Sequence, residues 1–169
     1  MDELIKRAQR GDREALTSLV REHYAPVYRF CARRLGTDAG QDAAQETFVT
    51  MQKSVARYQF KSCFQTWLLG IAHNHCRNIA RKNRIEPLPL EHWMNPQDGH
   101  ENSVVNHQML TSALKKLSEE HRQVVLMHEI EELRYSEIAE ILGVPEGTVK
   151  SRLHHAFLKL RESMSEVRS

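Results

Sequence analysis

The sequence predicts an all-α protein of two small helical domains joined by a flexible linker, and three observations carry that prediction. Aromatics make up only 7 % of the 169 residues, with 7 Gly and 5 Pro, a composition that favours helices over strands and turns. Apolar residues recur at helical spacing in both halves of the chain. Between the halves, residues 86–103 (EPLPLEHWMNPQDGHENS) hold three prolines and one glycine and have no helical period. The domains expected are therefore 1–85 and 104–169, with 86–103 as the linker.

The elements follow in order. Helices are predicted over Asp2–Arg10, Arg13–Leu35, Gln41–Ala56 and Phe64–Lys82, with breaks at Gly11-Asp12 and Gly36-Thr37-Asp38. Asp12 and Asp38 are the expected caps or turn formers. Leu16, Leu19, Val20, His23, Tyr24, Val27, Tyr28 and Cys31 form one apolar stripe, and Phe48, Met51, Val55, Trp67, Leu68, Ile71 and Ala72 supply the facing ones. In the second half, helices are predicted over Val105–Leu117, Ser118–Ile130, Tyr135–Leu142 and Pro145–Met164. Ser118 caps the second of these, and Val124, Val125, Met127 and Ile130 give its buried face. In the linker, Leu88, Leu90 and Trp93 could dock on a surface or ride on a loose tether.

Composition narrows the function classes. No run of about 18 apolar residues exists and the N-terminus MDELIKRAQRGDREA has no apolar centre, so a soluble, cytoplasmic protein without membrane insertion is expected. Cys31, Cys63 and Cys76 are odd in number and lack CxxC spacing, which points to free thiols. His73, His75 and Cys76 crowd together, but on a helix only His73 and Cys76 share a face, so no metal site and no cofactor is expected. No nucleophile–base or paired-carboxylate arrangement stands at a useful spacing, so no catalytic residue is assigned.

Charge along the chain is more informative than the net +2. From Thr47 to Ile85 the basic residues are Lys53, Arg57, Lys61, Arg77, Arg81, Lys82 and Arg84, and there is no acid. From Glu86 to Glu146 acids dominate, and the chain then turns basic again. Two basic surfaces separated by an acidic stretch suit contact with a polyanion at two places.

The most specific stretch is Tyr135–Ala156, YSEIAEILGVPEGTVKSRLHHA. Ile138, Ala139 and Leu142 repeat at helical spacing, Gly143 breaks the helix, and Pro145 suits the opening of the next. On that second helix Val149, Leu153, Ala156 and Leu160 share one side. Ser151, His154, His155 and Leu158 point the other way, flanked by Lys150 and Arg152. A short turn followed by a small, hydroxylated and basic outer face is a helix-turn-helix able to lay one helix in the DNA major groove.

Taken together, the two halves resemble an extracytoplasmic-function sigma factor, the small two-domain class of bacterial RNA polymerase specificity subunits. LSEEHRQVVLMHEIEELRYSEIAEILGVPEGTVKSRLHHAFLKLRE is similar to that family's region 4, and Asp42-Ala43-Ala44-Gln45-Glu46-Thr47-Phe48 resembles its polymerase-clamp motif. Phe64-Gln65-Thr66-Trp67-Leu68 with Ile71-Ala72-His73-Asn74 resembles its promoter-melting helix in region 2.

The resemblance implies that Asp42, Gln45, Glu46 and Phe48 bind core RNA polymerase. It implies that the Trp67 helix engages the minus-10 element and that the loop Tyr58–Cys63 receives an unstacked base. Asn74 matches a position near that strand, and Tyr58, Lys61, Arg77, Arg81 and Lys82 join the same surface through stacking and phosphate pairing. The loop departs from the usual pattern, with Gln59-Phe60-Lys61-Ser62-Cys63 where many relatives carry Gly and an acid.

By the same resemblance Lys150, Ser151, His154 and His155 would occupy base-facing positions for the minus-35 element, with Arg134, Thr148 and Arg152 placed as phosphate contacts. His155 stands where Arg or Lys is common, which would make binding sensitive to pH. The face Leu117–Glu132 would meet the flap of the second-largest polymerase subunit, and a separate anti-sigma factor is an implied partner. The rival is a free-standing helix-turn-helix regulator of duplex DNA, which leaves Asp42–Phe48 and the acid-free helix without a purpose.

Overall fold

Gly36 alone turns the chain between the second and third helices of the first half: at φ 85° and ψ 176° it occupies backbone space that is open only to glycine. The computed structural model describes residues 1–85 and 110–166, and among these every regular element is helical. The predicted linker with Leu88, Leu90 and Trp93 lies outside the described residues. Chain contacts divide the protein into two compact units, Met1–Leu88 and Pro89–Ser169.

The first unit contains α1 (Asp2–Gln9), α2 (Arg13–Leu35), α3 (Thr37–Ser54), a 3₁₀ turn (Val55–Arg57) and α4 (Phe64–Asn83). Asp12 starts α2 as predicted, its carboxylate accepting the Glu14 and Ala15 amides at 3.0 and 3.2 Å. The Ala15 amide first, and then the Arg7 side chain, hold that carboxyl below the usual range.

α3 begins at Thr37, not at Gln41 as predicted. Since one glycine makes the whole turn, Thr37 and Asp38 are free to enter the helix. Asp38 then sits in the first turn, where a carboxylate faces the positive end of the helix dipole. Gly40 brings α3 against α2 so closely that a Cβ there would lie 2.5 Å from Ala32 Cα. Pro26 removes one amide donor from within α2. The buried residues Leu19, His23, Val27 and Phe30 on either side keep the helix seated on α3 and α4.

This core is mixed in polarity. Leu19, Val27, Cys31, Ala43, Ala44, Met51, Leu68 and Ala72 are fully buried with Thr47 and Thr66, and His23 and His73 are buried beside them. Thr47 Oγ1 satisfies itself by donating to the Ala43 carbonyl at 2.7 Å. His23 packs its ring against Phe64, with 5.2 Å between centroids. Burial pushes the His73 pKa from the ordinary 6.5 down to about 4, assisted by Arg34 and Arg77. Several residues of the predicted stripe, Leu16, Val20, Tyr24 and Tyr28 among them, are only half-buried, while Phe30 and Leu35 close the core instead.

The second unit contains α5 (residues 110–115), α6 (Glu119–Glu129), α7 (Tyr135–Leu142) and α8 (Glu146–Glu166). Ser118 caps α6 as predicted, accepting the His121 amide at 3.4 Å. Its core is aliphatic: Leu114, Leu117, Val124, Val125, Leu126, Met127, Ile138, Ile141, Val149, Leu153 and Leu160. Ile141 rather than Leu142 completes the inner seam of α7, pairing with Ile138 one turn earlier. Gly143, at φ 66°, ends α7 in the left-handed conformation, and the Val144 amide returns to the Ala139 carbonyl at 3.0 Å. The amides of Thr148 and Val149 then bond to the Pro145 carbonyl and open α8.

Candidate nucleic-acid interface

In the second unit, α8 is held by its inner stripe Val149, Leu153, Ala156 and Leu160, all buried as the spacing requires. Its outer face therefore carries Lys150, Ser151, His154 and His155 into solvent. Lys150 Nζ pairs with Glu146 one turn back at 3.2 Å, and Ser151 Oγ donates to the Thr148 carbonyl at 3.1 Å. Thr148 is half-buried at the start of the same helix. Arg134 precedes α7 with its side chain 80 % exposed, and the Glu137 carboxylate accepts both its amide (2.9 Å) and its Nε (3.3 Å).

Arg152 behaves differently from its neighbours. Its side chain is only 20 % exposed and its guanidinium meets Glu120 on α6 at 3.1 Å, tying the candidate reading helix to the helix beneath it. Beside this pair His121 adds an imidazole that sequence reasoning missed. Its ring centroid lies 6.3 Å from that of His155, which is 5.7 Å from His154. Burial first, then Lys159, His155 and Arg152, push the His121 pKa down, while Glu120 opposes them. Its position on this face depends on how α6 packs against α8, which no local pattern encodes.

In the first unit, α4 turns Asn74, Arg77, Arg81 and Lys82 outward. At about 100° per residue, Trp67, Asn74 and Arg81 fall within roughly 40° of one another, so one line of the helix runs from an aromatic to an amide to a cation. Asn78 lies on the same face and accepts from Arg81 at 3.4 Å. Cys63 caps α4, its sulfur accepting the Thr66 amide at 3.4 Å in the manner of a serine.

The loop from Tyr58 to Cys63 is built on aromatic rings. Tyr58 is buried, and its hydroxyl donates to the Ser62 carbonyl at 2.5 Å. Its ring meets Phe60, Trp67 and Phe64 at 4.8, 5.1 and 5.3 Å. Trp67 is half-buried, and Lys61 is exposed at the loop tip. From α1, Gln9 Nε2 donates to the carbonyls of Val55 and Tyr58 at 3.1 and 2.8 Å.

On α3, Asp42, Gln45 and Glu46 are exposed, whereas Phe48 is turned into the core and stacks on Tyr24 at 5.9 Å. The apolar side chain that shares the outer face is Val49, 43 % exposed. Its spacing from Asp42, Gln45 and Glu46 was visible in the sequence, but valine beside an aromatic gives the weaker signal. Among the described residues no cluster of three metal-ligating side chains occurs, and no helix is long and apolar enough to cross a membrane.

Comparison with known proteins gives this architecture its class. Sigma-70 region 2 matches residues 19–85, and Sigma-70, region 4 matches residues 107–160. The chain is 31 % identical to RNA polymerase sigma factor YlaC of Bacillus subtilis, over 92 % of this chain and 95 % of that one. It is 30 % identical to an ECF RNA polymerase sigma-E factor of Haemophilus influenzae, over 90 % and 89 %. In fold it is similar to the sigma factor RpoE of Bartonella quintana, solved with the anti-sigma factor NepR. That likeness has a TM-score of 0.60 at 19 % identity and covers 88 % of this chain and 96 % of the other. The chain belongs to the extracytoplasmic-function RNA polymerase sigma factors. Its function is that of a sigma factor in bacterial transcription initiation.

Proposed function

We propose that this sigma factor divides promoter recognition between its two units and acts by binding, without catalytic chemistry of its own. The observation that carries the proposal is that each unit exposes one helical face rich in cations and hydrogen-bonding groups, Asn74–Lys82 on α4 and Lys150–His155 on α8. In this reading residues 1–85 hold core polymerase and the opened minus-10 strand, 86–103 link the units, and 104–169 bind the minus-35 duplex. Asp42, Gln45 and Glu46 contact polymerase from α3, with Val49 as the apolar member and Phe48 setting the seat of the helix from beneath.

At the minus-10 element Asn74 hydrogen-bonds a base edge, while Lys61, Arg77, Arg81 and Lys82 pair with phosphates. Tyr58 and Trp67 form the aromatic floor of the site. On α8, Lys150, Ser151, His154 and His155 face base edges in the major groove, and Thr148 and Arg134 flank them at the backbone. Such a protein works in the cytoplasm and is held in check by a separate anti-sigma factor. The fold shared with an anti-sigma-bound relative supports that partner.

Run-off transcription with bacterial core RNA polymerase tests the proposal. A specific transcript is expected with the wild-type protein, lost when Asp42 and Glu46 are both changed to Ala and lost again when Lys150 and Ser151 are. Tight duplex binding by the protein alone, with no affinity for core polymerase, would overturn it.

A further inference from the structure

Phe60 is the most exposed ring of the loop cluster and the least comfortable. It is 39 % exposed, and its φ of 58° is a left-handed conformation that L side chains other than Asn and Asp rarely take. Its ring is held up into solvent above the buried Tyr58 and Phe64 and the half-buried Trp67. Its ring centroid lies 4.8 Å from Tyr58, which in turn rests on Trp67 and Phe64. Tyr58 is only 7 % exposed and so has no open face to offer a ligand.

The surroundings are as selective as the ring. Lys61 follows it, Arg57 precedes the loop, and both are exposed, with no acidic residue anywhere from Thr47 to Ile85. An exposed aromatic face on a rigid base with cations on either side is the combination that binds unpaired nucleotides, stacking the base and pairing the phosphates.

We infer that Phe60 is the stacking platform for one unpaired base of the opened strand, with Tyr58 and Trp67 as positioning residues beneath it. This rests on the reading of the loop as part of the minus-10 site and names the side chain that makes the contact. Strain at an exposed aromatic is a functional expense that packing does not recover.

The test uses the full-length protein assembled with core polymerase and forked promoter DNA, unpaired on the non-template strand from the minus-10 element downstream. Abasic sites are introduced one at a time along the unpaired segment. Phe60→Ala is expected to weaken fork binding on the order of tenfold, while Phe60→Tyr and Phe60→Trp keep most of the affinity. One abasic position should cost the wild type the same factor and cost Phe60→Ala nothing further, a non-additivity that a merely structural role would not produce.

Phe60→Gly separates strain from stacking. Glycine accepts this φ freely, so the loop keeps its backbone while the platform is gone, and the affinity should match that of Phe60→Ala. Additive losses at every abasic position, or a Phe60→Ala holoenzyme that binds the fork as the wild type does, would overturn the inference and leave the minus-10 reading standing. A wild-type holoenzyme that opens no promoter and binds no fork would overturn both.

Discussion

In the proposed reading both units present a helix to DNA, and they do so from opposite kinds of core. The second seats α8 on an aliphatic interior in which Thr111 is the only buried polar residue among those described. The first buries His23, His73, Thr47 and Thr66 beneath its candidate surface and assembles that surface from a helix, a loop and a brace from α1. A single amphipathic helix on a greasy seat can be altered on its outer face with little structural consequence. A surface assembled from several elements over a polar core transmits each change to its neighbours.

The strongest way to break this comparison is at the closest backbone approach. Gly40→Ala places a Cβ 2.5 Å from Ala32 Cα and 2.7 Å from its nitrogen, and backbone atoms cannot swing aside as a side chain would. The first unit is expected to lose about 3 kcal/mol or more, at the upper end for overpacking, while the second keeps its stability. Segment-resolved hydrogen exchange in the full-length protein would report the two separately.

Acid should separate the units nearly as well. His73 stays neutral in the fold with a pKa of about 4 but takes a proton near 6.5 once unfolded, so below that pH the unfolded chain binds more protons. Stability is intact above pH 6.5, declines as the pH falls, and reaches a loss of about 3 kcal/mol from this group at pH 4. His23, lowered by burial, adds to the loss in the same direction. Urea unfolding between pH 7 and 4 should show the first unit weakening far more than the second, and His73→Leu should flatten its profile.

The smallest effect sharpens the comparison within the second unit. Arg134→Ala should reduce the log–log salt slope of minus-35 binding by about one unit, because an exposed cation that pairs with a phosphate releases a counterion. Arg152→Ala should leave that slope nearly unchanged and lower affinity only through the lost tie to Glu120, with Glu120→Gln giving a similar small loss. A full unit of slope lost with Arg152 would return it to the phosphate contacts read from the sequence.

What was legible follows from where the information lies in the chain. The helix-turn-helix could be read because Ile138, Gly143, Pro145, Val149 and Leu153 state it within one local period. The first unit was legible in its elements but less so in its surface. Phe48 suits a core and an exposed motif equally well by composition, and the packing of α3 against α2, where its ring meets Tyr24, is what turns it inward. The pairing of Arg152 with Glu120 joins residues from separate helices, and the rings beneath Phe60 include Phe64 and Trp67 brought in from α4.

The reach of Gln9 bears on how the protein can be dissected. The family match begins at residue 19, so α1 lies outside it. Yet one amide from α1 satisfies the carbonyls of Val55 and Tyr58, the last fixed points before the loop. A fragment trimmed to the family boundary would lose that strut, together with the Asp12 cap and first turns of α2 and the buried Ile5, Ala8 and Ala15. A promoter-opening defect in such a fragment would therefore report the lost brace and core contacts as much as any DNA-contacting residue.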